Sequence, residues 1–509
     1  MPIRTTHGPS IKRSVAAMAG WLALTLSPWQ GPLQQGMVDA SLVATASAQS
    51  TVTAASKERP TRKRNSLLSR WRELRQSRAQ EGVSGAAVAT SPPPPVQPPS
   101  PPSPPPQTAP IVTAPAPATP PPPSPTVTVK TDLGVYPEPT LLALPQAGSK
   151  VVDPTFGTSI LRLTDGSDGN RGAGSMYSYW PAFNRDNSYV VVREELNYPR
   201  AKFFPFDPAT FSVGAGFLLS APPPGLQEYS LLWSGIDPLV TYGITLKEIW
   251  SINVQTQRPA LVKDLSAHLP AGGSMMQPSK SLDDDVFAMS VVGLSGAVQG
   301  YVVWKRSTDQ ILLRNVTVSN MDEVHVDKSG RWLIVGFKTG DNEVWNLQAD
   351  PPAKTALSFQ GGTGFFHYGT GQETVFTGGP NNGLAMRSLA NPLSIRSLIP
   401  GKWSYAGQQD HFSFLADNEL WGLGSRYSIN GGPVVNPLDN EIVQVATDGS
   451  QRVRRLAHHR SVILNNAYDP TPKASISRDG RFVLFTSNWG QPNGRFDAYI
   501  VAIPPAPTQ

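Results

Sequence analysis

The sequence predicts an all-β protein in which residues 130–509 form a seven-bladed β-propeller, with six or eight blades as the alternative count. Three observations lead to this prediction. Short β-prone segments recur seven times, helical periodicity is absent beyond residue 130, and each end of this region leaves one strand without a partner. Repeats of about 40–50 residues with several strands each are typical of propeller blades.

The first set of strands consists of apolar segments that start 43 to 62 residues apart, at residues 189–192, 239–244, 286–292, 332–337, 375–378, 420–423 and 482–486. Most follow a polar turn rich in Asp, Asn, Ser and Gly, residue types that accept the backbone geometry of a chain reversal. One such turn, residues 283–285 (DDD), is interpreted as exposed, and the segment 425–438 is interpreted as an inserted loop. Each repeat therefore contains a hairpin.

A second set of strands follows in the same phase, at residues 203–206, 248–254, 300–305, 343–347, 384–389, 441–446 and 496–503. The last of these has no partner downstream, and residues 160–163 have none upstream. Pairing them completes one blade from both ends of the region and removes an open sheet edge.

The region before the propeller is predicted to direct export. Residues 1–14 carry three basic side chains and no acid, residues 15–29 are mostly apolar, and residues 46–48 (ASA) match a leader-peptidase site. This pattern predicts a signal peptide at residues 1–48 and a secreted or periplasmic protein. An uncleaved membrane anchor is the alternative, although the apolar segment is shorter than the roughly 20 residues that span a bilayer.

Two low-complexity segments follow. Residues 49–90 are basic, with a short amphipathic helix at 66–78 as an alternative to a disordered tail, and such a helix would contact a membrane or cell-wall surface. Residues 91–129 form a proline-rich linker, since 19 of positions 91–125 are Pro, a composition that favours an extended spacer.

Composition excludes several classes of function. The 509 residues include no Cys, which excludes disulfides, thiolate zinc sites and cysteine nucleophiles. Residues 1–80 hold 12 Lys and Arg against three acids, whereas residues 130–509 hold 31 against 33. The excess positive charge thus belongs to the tail, and no nucleic-acid partner is expected for the propeller.

The segment 472–488 (PKASISRDGRFVLFTSN), followed by 497–501 (DAYIV), resembles the blade motif of TolB-type β-propellers. In that family a Ser-x-Asp-Gly turn leads into a strand ending in Ser and then into a Tyr-Val strand. The resemblance implies the propeller fold for about 350 residues but little about function, because propellers host binding, scaffolding and catalysis alike.

A narrower resemblance is to the β-propeller polysaccharide lyases, including oligogalacturonate lyase. Their metal site uses histidines and a glutamine, in part as Gln-x-x-His-x-His. The segment 408–413 (QQDHFS) retains Gln408 and His411 but has Ser413 at the third position, and Ser475 stands where the closing blade of the family usually has His.

Three histidines, His325, His367 and His411, precede the turn in consecutive blades and are expected around a common channel mouth. With Gln408 or Glu323 they form a candidate site for a divalent metal ion. The alternative is that each is an isolated polar residue between blades.

Elimination at a uronate requires a base, an electrophile and an acid. The candidates are His411 or His325 as base, Lys280, Arg426 or a metal as electrophile, and Tyr177, Tyr179 or Tyr427 as acid.

Aromatic side chains at a channel mouth also bind sugars without chemistry, and the candidates are Trp180, Tyr229, Trp233 and Tyr427. The alternative for each is packing between blades. The first functional hypothesis is therefore an exported propeller that binds a carbohydrate polymer or a cell-envelope protein. The second is a polysaccharide lyase acting by β-elimination, and the third is a structural assembly module.

Overall fold

In the computed structural model, the described residues are 129–505 except 170, 195–198, 404–407, 430, 433, 466 and 493. The predicted signal peptide, the basic segment and residues 91–128 of the proline-rich linker lie outside the described residues and remain predictions. Within the described part, no helix has the length and apolar character needed to cross a bilayer.

The described residues form strands and two short 3-10 helices, and none of them lies in an α-helix. The first strands are β1 (Lys150–Val152) and β2 (Ser159–Arg162). Blade 1 contains β3 (Ala173–Gly174), β4 (Tyr189–Glu194), β5 (Arg200–Asp207) and β6 (Ser212–Val213), with β7 (Phe217–Leu218) also paired to β5.

Blades 2 to 4 are four-stranded, and the 3-10 helices η1 (Glu228–Ser230) and η2 (Ser266–His268) lie before and after the strands of blade 2. Blade 2 contains β8 (Leu232–Trp233), β9 (Val240–Ile244), β10 (Glu248–Asn253) and β11 (Arg258–Asp264). Blade 3 contains β12 (Ser274–Lys280), β13 (Val286–Val292), β14 (Val298–Lys305) and β15 (Gln310–Asn315). Blade 4 contains β16 (Met321–Val326), β17 (Trp332–Phe337), β18 (Asn342–Asn346) and β19 (Ala353–Leu357).

Blades 5 and 6 repeat this arrangement. Blade 5 contains β20 (Tyr368–Thr370), β21 (Thr374–Gly379), β22 (Gly383–Ser388) and β23 (Arg396–Ile399). Blade 6 contains β24 (Gln408–Ser413), β25 (Trp421–Ser428), β26 (Glu441–Ala446) and β27 (Val453–His458). Blade 7 joins β28 (Ser475–Ile476), β29 (Phe482–Ser487) and β30 (Asp497–Ala502) to β2 and β1.

Blade 7 closes the ring from both ends of the propeller region. Ile160 pairs with Val501 and Leu161 with Ile500, in antiparallel register. The Arg162 guanidinium also lies 2.8 Å from the Asp497 carboxylate, and both side chains are buried. The predicted closure and the count of seven blades are confirmed.

The predicted strands are the second and third strands of each blade. The second strands are largely buried because neighbouring blades pack face to face on them, which gives continuous apolar segments such as Val286–Val292, whereas third strands such as β10 and β18 are partly buried. Two predictions are wrong in detail. Residues 425–428 belong to β25 rather than to a loop, and Asp284 in the turn at 283–285 is 3% exposed because Lys280 and Ser234 bind its carboxylate.

Candidate functional site

The first strand of each blade lines the channel, and the turns that follow these strands meet at one end of it. Leu282 N donates to Lys328 O, Lys328 N donates to Gly371 O, and Asp417 N donates to Arg478 O, so the turns of blades 3 to 5, and those of blades 6 and 7, are joined by backbone hydrogen bonds. We call this the turn end. The opposite end, where the chain enters the first strands, carries Tyr177, Tyr179, Glu323, His367, His411, Tyr427 and Tyr468, which we call the tyrosine mouth.

The register of the inner strands shows which side chains lie at the same height along the channel axis, which we call a level. His325, Gly369, Ser413 and Ser475 each pair with the second strand of their own blade just before the turn. The residues two positions earlier are Glu323, His367, His411 and Lys473. His367 and His411 thus share a level, whereas His325 lies one level closer to the turn end than the predicted common ring of histidines.

His411 is the centre of one group of rings at the tyrosine mouth. Its ring centroid lies 5.0 Å from that of His367, 5.1 Å from that of Tyr177 and 5.4 Å from that of Tyr427. Tyr468 completes the group at 6.1 Å. His411 is 1% exposed, and neither ring nitrogen has a hydrogen-bond partner among the described residues.

A second group of rings continues from Tyr179, whose centroid lies 4.2 Å from that of Tyr177. Tyr179 contacts His325 at 4.3 Å, and His325 contacts Tyr368 at 5.2 Å. The Tyr179 hydroxyl donates to Glu323 Oε2 at 2.9 Å, and His325 Nε2 lies 3.5 Å from Glu323 Oε1. The two groups form one continuous aromatic surface with a carboxylate at its edge.

The two carboxylates beside this surface, Asp322 and Glu323, differ in pKa. Burial and the charge of Glu323 raise the pKa of Asp322 to about 6. For Glu323 burial opposes ionisation, but the charge and hydrogen bond of His325 and the hydroxyl of Tyr179 outweigh it and lower the pKa. At neutral pH both carboxylates are therefore largely ionised, and Asp322 is the first of the two to take up a proton as the pH falls.

The two neighbouring imidazoles also differ. Burial lowers the pKa of His411 well below its ordinary value, and the charges of His367 and Lys473 act in the same direction. Burial also lowers the pKa of His367, but the hydrogen bond and charge of Asp410 outweigh this effect, so the pKa is raised. His367 Nδ1 lies 2.6 Å from Asp410 O, and Trp403 Nε1 donates to Asp410 Oδ2 at 2.6 Å. His411 is thus a neutral imidazole at neutral pH.

The tyrosine hydroxyls of the mouth remain protonated at neutral pH. Burial raises the pKa values of Tyr177, Tyr179, Tyr368 and Tyr427 well above the ordinary range, and that of Tyr468 is also raised. Each hydroxyl is a hydrogen-bond donor and acceptor for a ligand rather than a charged group. The Tyr427 hydroxyl donates to Gln409 Oε1 at 3.0 Å.

Trp180 packs beside the mouth rather than facing it. It is 7% exposed, its centroid lies 5.3 Å from that of Tyr179, and its Nε1 donates to Pro278 O. Tyr229 lies on η1 in blade 2, and its hydroxyl donates to Gln227 Oε1. Gln408 is half-buried and donates to Ser428 Oγ at 2.6 Å.

Three predicted site residues lie apart from this group. Lys280 is at the turn end, where its ammonium is paired with Asp284. Arg426 is 1% exposed and is held by Asp439 Oδ1 at 3.2 Å and by Pro437 O at 2.8 Å. Trp233 is packed between blades 1 and 2, 5.7 Å from Phe203.

The described side chains do not fit a metal site of the predicted kind. Within this part of the chain, no three His, Asp or Glu side chains converge closely enough to hold an ion together. Ser413 Oγ accepts from Ile476 N at 3.2 Å, and Ser475 Oγ donates to Trp180 O at 2.9 Å. Both serines thus join neighbouring blades where the polysaccharide lyases have histidines.

Sequence reasoning missed Asp322, Tyr368, Asp410 and Tyr468. Tyr368 directly follows His367 and begins β20, so the start of an inner strand was the available signal. Tyr468 precedes β28 in an irregular segment, and nothing in its local pattern indicates that it reaches His411. Asp322 and Asp410 can be assigned to the site only after the first strand of each blade has been identified.

Two surface depressions lie elsewhere. One of about 480 Å³ is on the outer strands of blades 2 and 3 and includes Leu261 and Trp304. The other, of about 470 Å³, is at the turn end and includes Arg185, Lys328 and Arg478. The three cations of this second depression already bind carboxylates or carbonyls and are not available to a ligand. We therefore place the candidate site at the tyrosine mouth.

Comparison with known proteins supports the fold alone. No family model matches the chain, and no curated protein matches its sequence. Among solved structures, an oligogalacturonate lyase in complex with manganese is 13% identical with a TM-score of 0.50, over 71% of this chain and 97% of that one.

Two further structures have lower scores. The oligogalacturonate lyase from Vibrio parahaemolyticus is 11% identical with a TM-score of 0.49, over 70% of this chain and 99% of that one. The RRP9 WD40 repeats are 10% identical with a TM-score of 0.42, over 70% and 99%. The chain is a seven-bladed β-propeller that resembles oligogalacturonate lyase in fold, as the sequence resemblance implied.

Proposed function

We propose that this protein is an exported β-propeller that binds a carbohydrate polymer at the tyrosine mouth. The observation that carries the proposal is the continuous surface of tyrosine and histidine rings, bordered by buried polar atoms without partners. Sugar rings stack on aromatic faces, and their hydroxyls satisfy such polar atoms. A cell-envelope protein is the alternative partner.

The proposed location is secreted or periplasmic, with the proline-rich linker as a spacer between the propeller and the surface that the basic segment contacts. Support comes from the sequence pattern of residues 1–129. Sequencing the N-terminus of the exported protein tests this part. A start at residue 49 is expected, and an intact N-terminus in the membrane fraction would favour the uncleaved anchor.

Binding is tested by titrating the propeller against an array of polysaccharides. Replacing Tyr177 or Tyr468 by Ala is expected to weaken binding by about tenfold, because each substitution removes an aromatic face. Phe359→Ala is the matched control, since this ring is 44% exposed and packs on Phe366 at 4.7 Å between ring centroids. Equal affinity of Tyr177→Ala and wild type would move the site elsewhere.

A second candidate is elimination of uronate-containing polymers, and the neutral, unpartnered imidazole of His411 favours it. In that reaction His411 takes the proton beside the uronate carboxylate, the bond to the leaving oxygen breaks, and the hydroxyl of Tyr177 or Tyr427 protonates that oxygen. The unsaturated product absorbs near the ultraviolet edge. No increase in absorbance with a broad panel of uronate polymers would reject this candidate.

A further inference from the structure

The tyrosine mouth holds two adjacent carboxylates on one strand. The pairing of β16 with β17 is interrupted between Met321 and Val324, so Asp322 and Glu323 lie in an irregular part of the strand. Glu323 retains 14% exposure of its side chain and receives a hydrogen bond from the Tyr179 hydroxyl. Burial and the charge of Glu323 raise the pKa of Asp322, and a cation placed here would relieve the repulsion between the two carboxylates.

Buried polar atoms next to these carboxylates have no partner among the described residues. They are the hydroxyl of Tyr368 and both ring nitrogens of His411. Tyr368 and His411 are 3% and 1% exposed, so both are more than nine-tenths buried. Buried polar groups normally form hydrogen bonds, which indicates that a ligand with several donors completes them.

A tyrosine of the same mouth already binds an ammonium group. Lys473 Nζ lies 4.2 Å from the centroid of the Tyr468 ring and donates to the carbonyl oxygens of Tyr468 and Asp469. This contact combines an aromatic face with oxygen acceptors, which is the usual way in which proteins hold ammonium groups. Tyr177 and Tyr179 provide a similar combination with Glu323.

The cations that act on this position are few in the described structure. The charges of Lys338, His367 and His325 stabilise the ionised form of Asp322, and those of His325 and His367 stabilise that of Glu323. Of these cations, His325 lies next to the Glu323 carboxylate, with its Nε2 3.5 Å from Glu323 Oε1. One carboxylate beside ring faces suits an ammonium group, whereas a divalent metal ion requires several converging ligands.

We propose that the tyrosine mouth selects glycans with free amino groups, that is, polymers containing de-N-acetylated hexosamine. The ammonium group pairs with Glu323 while the sugar ring packs on Tyr177 and Tyr179. This inference rests on the proposed carbohydrate-binding function and specifies its ligand class.

The test is calorimetric titration of the propeller with three probes: an oligomer of glucosamine, an oligomer of N-acetylglucosamine and oligogalacturonate. At a mildly acidic pH, where the amines are protonated, the glucosamine oligomer is expected to bind about tenfold more tightly than the acetylated one. In Glu323→Gln this ratio is expected to fall to about one, since the charge is lost and the shape is kept. Glu373→Gln, in the turn of blade 5, is the matched control and is expected to keep the ratio.

Each outcome decides the inference. Equal binding of the glucosamine and N-acetylglucosamine oligomers by wild type would overturn it and leave the proposed function intact. Tighter binding of oligogalacturonate would overturn it in favour of a uronate-containing ligand. No binding of any probe would reject both this inference and the proposed carbohydrate-binding function. If Glu323→Gln does not fold, Asp322→Asn carries the test, with a ratio expected to fall about threefold.

Discussion

At the turn end, the buried ammonium of Lys280 pairs with Asp284, and that of Lys328 pairs with Glu419 at 2.8 Å. At the tyrosine mouth, by contrast, His411 is 1% exposed, and its two ring nitrogens have no partner among the described residues. Both ends are built on the same inner strands, so the difference lies in the side chains and not in the backbone.

This difference indicates that the turn end contributes to stability and the tyrosine mouth to binding. A buried ion pair adds little net stability, because desolvation offsets the attraction, but removal of one partner is strongly destabilising. A buried polar atom without a partner lowers stability in the free protein and is retained where a ligand can satisfy it. We therefore expect substitutions at the turn end to affect unfolding, and substitutions at the mouth to affect binding.

The largest effect on stability is predicted for Asp284→Ala. The Asp284 carboxylate accepts hydrogen bonds from Ser234 Oγ, Gly235 N and Lys280 Nζ, so its loss leaves a buried ammonium without a counter-charge. The free energy of unfolding is expected to fall by about 3–5 kcal/mol. Urea unfolding measures it.

Asp285→Ala is the matched control, because the neighbouring carboxylate is 24% exposed and binds the surface residue Ser307. Its loss is expected to cost about 1 kcal/mol or less. Similar losses in the two variants would contradict the distinction between a buried and a surface carboxylate at this end.

Ser475→Ala is predicted to have an intermediate effect. Ser475 is fully buried just before the turn of blade 7, where its hydroxyl joins blade 7 to Trp180 O in blade 1. Loss of this hydrogen bond leaves a buried carbonyl without its donor and is expected to cost about 1–2 kcal/mol. Thermal and urea unfolding measure the loss, and an unchanged midpoint would show that the serine does not hold the blades together.

The sequence was sufficient to predict the second and third strands of every blade and the closure of the ring, because apolar segments buried on both faces give a strong local signal. It was insufficient for the inner strands. Along an inner strand, successive side chains lie alternately toward the channel and toward a blade interface. Residues such as Asp322, Glu323 and His325 are polar, so the sequence of the strand resembles that of a loop. Asp284 was misread for a related reason, since its partners Lys280 and Ser234 come from two different blades.

The candidate site was predicted only in part. His411, His367, Tyr177, Tyr179 and Tyr427 converge, because they meet at the same end of the channel from blades 1, 5 and 6. Lys280 and Arg426 do not join them, since nearby carboxylates hold both cations. A charged residue near a turn is predicted to lie close to the channel, but this position does not show at which end of the channel its side chain lies.

His411→Phe is predicted to have a small effect on stability, in contrast to the substitutions above. Phe retains the ring contacts with His367 and Tyr427 and removes two buried nitrogen atoms without partners. The free energy of unfolding is expected to change by no more than about 1 kcal/mol. Affinity for a glucosamine oligomer is expected to fall several-fold, measured by calorimetry. A large loss of stability with unchanged affinity would assign His411 to the packing of the propeller.

The smallest effect is predicted for the pH dependence that His367 contributes at the mouth. Because Asp410 raises the pKa of His367 above its ordinary value of 6.5, the folded state binds this proton more tightly than the unfolded state. The resulting stabilisation is present in full below pH 6.5 and is lost as the pH rises through the folded pKa. In His367→Gln this loss is expected to disappear. Since other buried groups titrate in both proteins, the difference between the two stability profiles isolates the contribution of His367. A difference that stays constant above pH 6.5 would show that Asp410 does not hold the protonated imidazole.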